Sequence, residues 1–199
     1  METHTIKKIS LLTLLALSSS AYAEGYFFGV EQTLSSTVNN TTNDIETTDN
    51  TNISTFKIGG RKGGENSSRW EVAFHPNTKA LNPFVQGDKK VFAFGINYNA
   101  TMEDFSPAQN VLPYVRFGAT VHISDDKYIS RDDDKEYNYS AVGFSIGLGT
   151  YYNVTDKLDI SVGYDVGYRL WQDLYYGSQT LESSETFSKF YIGASYALF

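Results

Sequence analysis

The chain has 199 residues, of which 41% are hydrophobic, 15% aromatic and 20% charged, with a formal net charge of -7 and no cysteine. That length bounds it to about one domain; the missing cysteines exclude a disulfide scaffold, a thiolate metal site and a cysteine nucleophile. Its acidity argues against nucleic acid, because phosphate binding needs clustered Lys and Arg, while Gly 16, Tyr 15 and Phe 13 lean toward β structure.

The chain starts polar and basic with Lys7 and Lys8, runs apolar from Ile9 to Leu17, and reaches the small-residue pattern Ala21-Tyr22-Ala23. That order is the pattern of a secretory signal peptide cleaved after Ala23. An N-terminal membrane helix needs roughly 20 apolar residues, about twice this run. The expected division is therefore 1–23 as leader and 24–199 as the working domain, outside the cytoplasm.

After the leader the dominant period is two, with no long helical stripe and no apolar run of helix-spanning length. Trp70, Val72 and Phe74 alternate with Arg69, Glu71, Ala73 and His75. Phe92, Phe94, Ile96 and Tyr98 oppose Val91, Ala93, Gly95 and Asn97, and Val142, Phe144, Ile146 and Leu148 oppose Ala141, Gly143, Ser145 and Gly147. From Leu158 to Trp171 the alternation is strict, with Leu158, Ile160, Val162, Tyr164, Val166, Tyr168 and Leu170 on one face. Eight such segments are predicted, at 25–35, 53–61, 68–75, 90–99, 111–123, 137–152, 157–171 and 186–199. The connections Val38–Asn52, Pro76–Lys89, Ser124–Glu136 and Gln172–Glu185 are long and polar, and Lys62–Ser67 and Asn153–Asp156 are short; Ala100–Asn110 is longer than that scheme wants. The Thr/Asn-rich stretch Val38–Asn52 is expected to be mobile, its apolar content being too low for a packed core.

The second face decides which way the segments turn. It is mostly Gly, Ala and Ser punctuated by single charges, whereas a water-facing row would be continuously polar. Small residues suit a narrow lumen, and a bulky apolar row suits lipid. The expected fold is all-β, an eight-stranded antiparallel up-and-down transmembrane β-barrel. In that register the inward charges are Glu31, Lys57, Arg61, Arg69, Glu71, Arg116, Asp159, Asp165, Arg169 and Lys189, six cations against four acids, with His75 and His122 near the loop ends.

The leader running into Gly25-Tyr26-Phe27-Phe28-Gly29-Val30, the stretch Tyr152-Asn153-Val154-Thr155-Asp156-Lys157-Leu158 leading into Gly163-Tyr164-Asp165-Val166-Gly167-Tyr168-Arg169, and the terminal Phe199 together resemble the small Gram-negative outer-membrane β-barrel family, the OmpA/OmpX and opacity-protein type. The resemblance implies an outer-membrane location at the cell surface, a monomer, lipid and lipopolysaccharide as neighbours, and delivery by the barrel-insertion machinery through the last strand ending in Phe199. The family alternates apolar residues back from that Phe; here the row is Ala197, Ser195 and Gly193.

Three functions follow as expectations. The first is a structural or surface-interaction role, the barrel anchoring polar loops that contact host or other cell-surface ligands, without cofactor, metal or catalysis. In it Glu31, Lys57, Arg69, Glu71, Arg116, Asp159, Asp165 and Arg169 form a paired interior network. The second makes the same charges the lining of a narrow, porin-like ion or small-solute channel. The third takes His122 and Ser124, with Glu136 further on, as a hydrolase triad, similar in spacing to the outer-membrane lipid A deacylase family. There the residue after the Ser is Asn; here it is Asp125, whose charge opposes an oxyanion. The acidic run through Asp132-Asp133-Asp134 lacks the Gly of a Ca²⁺ loop and reads as solvated charge.

Overall fold

The computed structural model describes residues 25–42, 45–49, 53–62, 67–78, 91–129, 136–176 and 179–198. The leader 1–23 and Phe199 lie outside them, as do most of Pro76–Lys89 and parts of the other long connections. In chain order the elements are β1 (Gly25–Thr42), β2 (Ile45–Asp49), β3 (Ser54–Lys62), β4 (Ser68–Thr78), β5 (Val91–Thr101), a 3-10 turn (Glu103–Phe105), β6 (Val111–Ile129), β7 (Glu136–Asn153), β8 (Leu158–Trp171), β9 (Leu174–Tyr176), β10 (Gln179–Leu181) and β11 (Ser183–Ala197). Eight of the strands, β1, β3 to β8 and β11, pair antiparallel with their chain neighbours, and β11 closes onto β1 from Phe27↔Ala197 to Thr42↔Ser183. The wall is a closed eight-stranded barrel, and closure leaves it without a free edge.

Side chains are distributed inside out relative to a water-soluble barrel. Leu148 on the outer face is 62% exposed, whereas Arg116 inside is 1% exposed. Alternation produces this directly, because successive Cβ atoms point to opposite faces of the wall. The interior is narrow, and glycines make room in it. A Cβ on Gly147 would overlap Asp165 Oδ1, and one on Gly149 would overlap the Tyr114 ring.

The strands that run furthest past their predicted ends are β1 and β6. β1 continues past residue 35 to Thr42, and β6 past residue 123 to Ile129. A register shift between Thr33 and Ser35 leaves Leu34 and Ser35 both exposed and moves the inward phase from odd to even numbers, as a β-bulge does. Alternation read straight through that point ends the strand too early. The backbone of Val38–Thr42 pairs with β11 on one side and with β2 on the other. That corrects the expectation of mobility for this part of Val38–Asn52: ladder hydrogen bonds hold it without a hydrophobic core. Between β5 and β6 the long connection is ordered, with Met102 N–H donating to Pro113 O at 2.8 Å and Asn153 N–H to Asn110 O at 2.8 Å.

Candidate functional site

The lumen holds three tiers of charge along the barrel axis. The middle tier joins six strands. Arg116 on β6 reaches Glu31 on β1 at 3.0 Å, Glu71 on β4 at 3.1 Å and Asp165 on β8 at 3.4 Å. Lys57 on β3 lies 3.3 Å from Glu31 and 3.4 Å from Glu71, and Lys189 on β11 lies 3.1 Å from Glu31 and 3.3 Å from Asp165. Three cations and three acids thus close a neutral cluster that no single strand could assemble.

Uncharged groups fill in around it. Asn97 donates to Glu71 at 3.1 Å, and the Arg116 Nε–H donates to Asn99 Oδ1 at 2.9 Å. Asn99 donates in turn to the Tyr151 hydroxyl at 2.9 Å. The Tyr114 and Tyr191 hydroxyls are 2.8 Å apart, and the Arg116 guanidinium sits 4.6 Å from the Tyr191 ring centre. Burying so many ions is tolerable because each finds opposite charge and hydrogen bonds; removal of one would leave another unpaired in a dry interior.

Toward the end of the barrel with the short turns, Arg69 pairs with Asp159 at 2.8 Å, and its guanidinium lies 3.7 Å from the centre of the Tyr151 ring. Arg61, opposite Arg69 across the β3–β4 ladder, lines the mouth there. Toward the long loops, Arg169 pairs with Glu185 and packs against the Phe187 ring at 5.4 Å. His75 Nδ1 and Thr55 Oγ1 are 2.7 Å apart, and His122 Nε2 and Thr120 Oγ1 are 3.0 Å apart. Together with Asp165 and Lys189, the two histidines and Arg169 border a cavity of about 50 Å³. Val91, Tyr139, Ala141 and Trp171 form a small apolar cluster near the loop end.

The structure therefore brings Glu31, Lys57, Glu71, Arg116 and Asp165 together, and places Arg69 with Asp159 and Arg169 in separate tiers. Sequence reading missed Glu185, assigned to a loop; counting back by twos from Lys189 would have reached it. It also missed Asn99, Tyr114, Tyr151 and Tyr191, because inward aromatics interrupt the small-residue signature. Their parity with Arg116, Gly147 and Gly193 was the available signal. His122 and Ser124 are both buried on the inward row, turned from the lipid face. The Glu136 side chain lies outside the described residues.

Residues 9–197 match the outer membrane protein beta-barrel domain family. Among solved structures, Neisserial surface protein A is similar at 12% identity, covering 87% of this chain and 97% of that chain, with a TM-score of 0.51. Ail, the attachment invasion locus protein of Yersinia pestis, aligns at 12% identity over 84% of this chain and 99% of that chain, with a TM-score of 0.43. The N-terminal barrel of Pseudomonas aeruginosa OprF aligns at 11% identity over 83% of this chain and 96% of that chain, at 0.39. No curated protein matches the chain. At such identities the likeness to the first of these shows the fold alone.

Proposed function

The chain belongs to the outer membrane protein beta-barrel domain family, and from that premise we propose that it is a non-conducting, non-enzymatic outer-membrane anchor for a surface-interaction platform. In this reading residues 1–23 are removed as a leader, the short turns face inward, and the long loops stand at the cell surface. The observation that carries it is the middle tier. Glu31, Lys57, Glu71 and Arg116 have side chains at most 2% exposed and are locked to one another across four strands, which fills the bore where a channel would need it open.

The loop end supports the same reading. Outward apolar side chains stop at Leu34 on β1 and Phe190 on β11, yet that ladder continues to Thr42↔Ser183. Likewise the β6–β7 ladder continues past Ile123↔Ser140 to Ile129↔Glu136. At about 3.3 Å per residue and the usual strand tilt, these ribbons rise roughly 15–20 Å above the apolar belt. Thr37, Asn39 and Thr186 there suit water rather than lipid. Rigid ribbons carrying loops are where recognition of a host or cell-surface ligand would sit.

A planar-bilayer recording of the refolded chain beside Glu31→Gln and Arg116→Gln tests this. The expected wild-type trace is silent with folded protein present. Reproducible wild-type channels whose ion preference changes with those substitutions would replace the anchor by a narrow channel.

A further inference from the structure

The apolar belt on the outer wall has a step in its upper edge, between β8 and β11. At the short-turn end the two strands finish level, with Tyr196 directly opposite Leu158. Toward the loops they part. On β11 the apolar row ends at Phe190, whose partner is Tyr164, and the outward positions beyond it are Ser188, Thr186 and Ser184. Their partners on β8 are Val166, Tyr168 and Leu170. At about 3.3 Å per residue and the usual strand tilt, β8 therefore carries its apolar row roughly 10–15 Å higher than β11 does. Neighbouring strands lie about 4.8 Å apart, so no tilt of the whole barrel levels a step that abrupt. Hydroxyls face outward at a depth where the adjacent wall is built for acyl chains, which offer them no hydrogen bonds.

A recess of about 630 Å³ lies along this step. Phe144, Ile146 and Val166 line its β7–β8 side, and Thr37, Thr186 and Ser188 its β1–β11 side, with Asn39 also in the lining. None of the lining residues is charged. Nearer the short turns, on β1 and β11 again, a second recess of about 450 Å³ is lined by Val30, Phe56, Ile160 and Ile192 around the small Ala194.

We propose that the step seats a glycolipid of the outer leaflet, a lipid whose headgroup is an uncharged saccharide. The recess is continuous with the lipid-facing belt, an interface that membership of an outer-membrane family establishes. Its two sides match the two parts of such a molecule. Sugar hydroxyls exchange hydrogen bonds with Thr37, Thr186, Ser188 and the Asn39 amide, while one acyl chain packs on Phe144, Ile146 and Val166 and another reaches the lower recess at Ala194. A phosphate headgroup finds no cation in the lining. A second copy of this barrel fits less well, because two convex walls touch along a line and leave both recesses unfilled. The inference shares with the anchor reading only the outward placement of the long loops, so a conducting lumen leaves it standing and an empty recess leaves the anchor standing.

The test reconstitutes the refolded chain in phosphatidylcholine bilayers carrying equal small amounts of digalactosyl diacylglycerol and phosphatidylglycerol, and reads by native mass spectrometry which lipids stay on the released barrel. One digalactosyl diacylglycerol per barrel is expected, in clear preference to phosphatidylglycerol. Thr186→Val combined with Ser188→Ala removes two outward hydroxyls and is expected to lower that occupancy about tenfold. Ser188→Phe fills the recess and is expected to abolish it. Thr150→Val takes a hydroxyl from the outer wall away from the recess and is expected to change nothing. None of these substitutions touches the lumen, so the folded barrel's gel mobility should match wild type. No retained lipid, retention that survives Ser188→Phe, or an equal loss in Thr150→Val overturns the site. Phosphatidylglycerol retained as well as the glycolipid overturns the saccharide headgroup, and a barrel dimer in place of the lipid-bearing monomer overturns the lipid in favour of a second copy.

Discussion

Two arginine sites in one lumen show what completeness of pairing means. At mid-height Arg116 meets Glu31, Glu71, Asp165 and Asn99, and every neighbour has further partners of its own. At the short-turn mouth Arg69 is paired with Asp159, and Arg61 opposite it has no ion pair among the described residues. The first arrangement is closed to water and to ligand, since nothing can enter without breaking several buried ion pairs. The second is open, and Arg61 there borders a cavity whose lining also includes Glu103 and Asp156, neither of them close enough to Arg61 to form an ion pair. The same side-chain type is structural in one place and available in the other, and burial with counter-charge separates the two.

Removing the centre of the closed arrangement should have the largest effect. Arg116→Met keeps much of the side-chain volume and leaves Glu31, Glu71 and Asp165 with only Lys57 and Lys189. Breaking a buried ion-pair network by deleting one partner costs about 3–5 kcal/mol. Urea unfolding of the barrel in lipid vesicles, followed by tryptophan fluorescence and by the gel mobility of the folded form, should show a loss of that size. A midpoint within error of wild type would mean that water or a relaxed wall neutralises the acids and that the tier is not closed.

The next step down is Tyr151, which joins the closed tier to the mouth. Its ring lies under Arg69 at 3.7 Å, and its hydroxyl accepts from Asn99 at 2.9 Å. Tyr151→Leu removes a desolvated cation–π contact and a buried acceptor, together about 2 kcal/mol. The same unfolding measurement should place it between the Arg116 and Arg61 variants. A loss as large as that of Arg116→Met would make the tiers one cooperative unit instead of two.

Much of this was legible in sequence because period-two alternation encodes a wall with two unlike faces. The strand Leu158–Trp171, and Ser68–Thr78 with its partner Val91–Thr101 as far as the register shift after His75, keep one register, and their inward charges Arg69, Glu71, Asp159, Asp165 and Arg169 could be read directly. Phase slips hid the rest. The bulge at Leu34 concealed the upper half of β1, and with it the ribbon partner of Ser183–Glu185, so Glu185 was placed in a loop. Which charges meet was not legible at all. Arg116 touches Glu31 from 85 positions away, and that encounter depends on barrel radius and stagger, which alternation does not specify. Nor could spacing separate Arg61 from the other inward cations; only the ladder register sets it against Arg69.

The smallest effect should also have the opposite sign. Arg61→Gln removes one of two directly opposed positive charges and breaks no ion pair among the described residues, so the barrel should be as stable as wild type or slightly more so, by up to about 0.5 kcal/mol at low salt. Because the mouth is open to solvent, that gain should shrink as salt rises through the range where the screening length falls to about 10 Å. Unfolding midpoints of wild type and Arg61→Gln, compared at low and moderate salt, read this directly. A destabilisation comparable to Tyr151→Leu would show that Arg61 is paired as fully as Arg116, and the contrast between the two ends of the lumen would vanish. Retained stability with a salt-sensitive gain would mean that the fold carries Arg61 at no structural benefit.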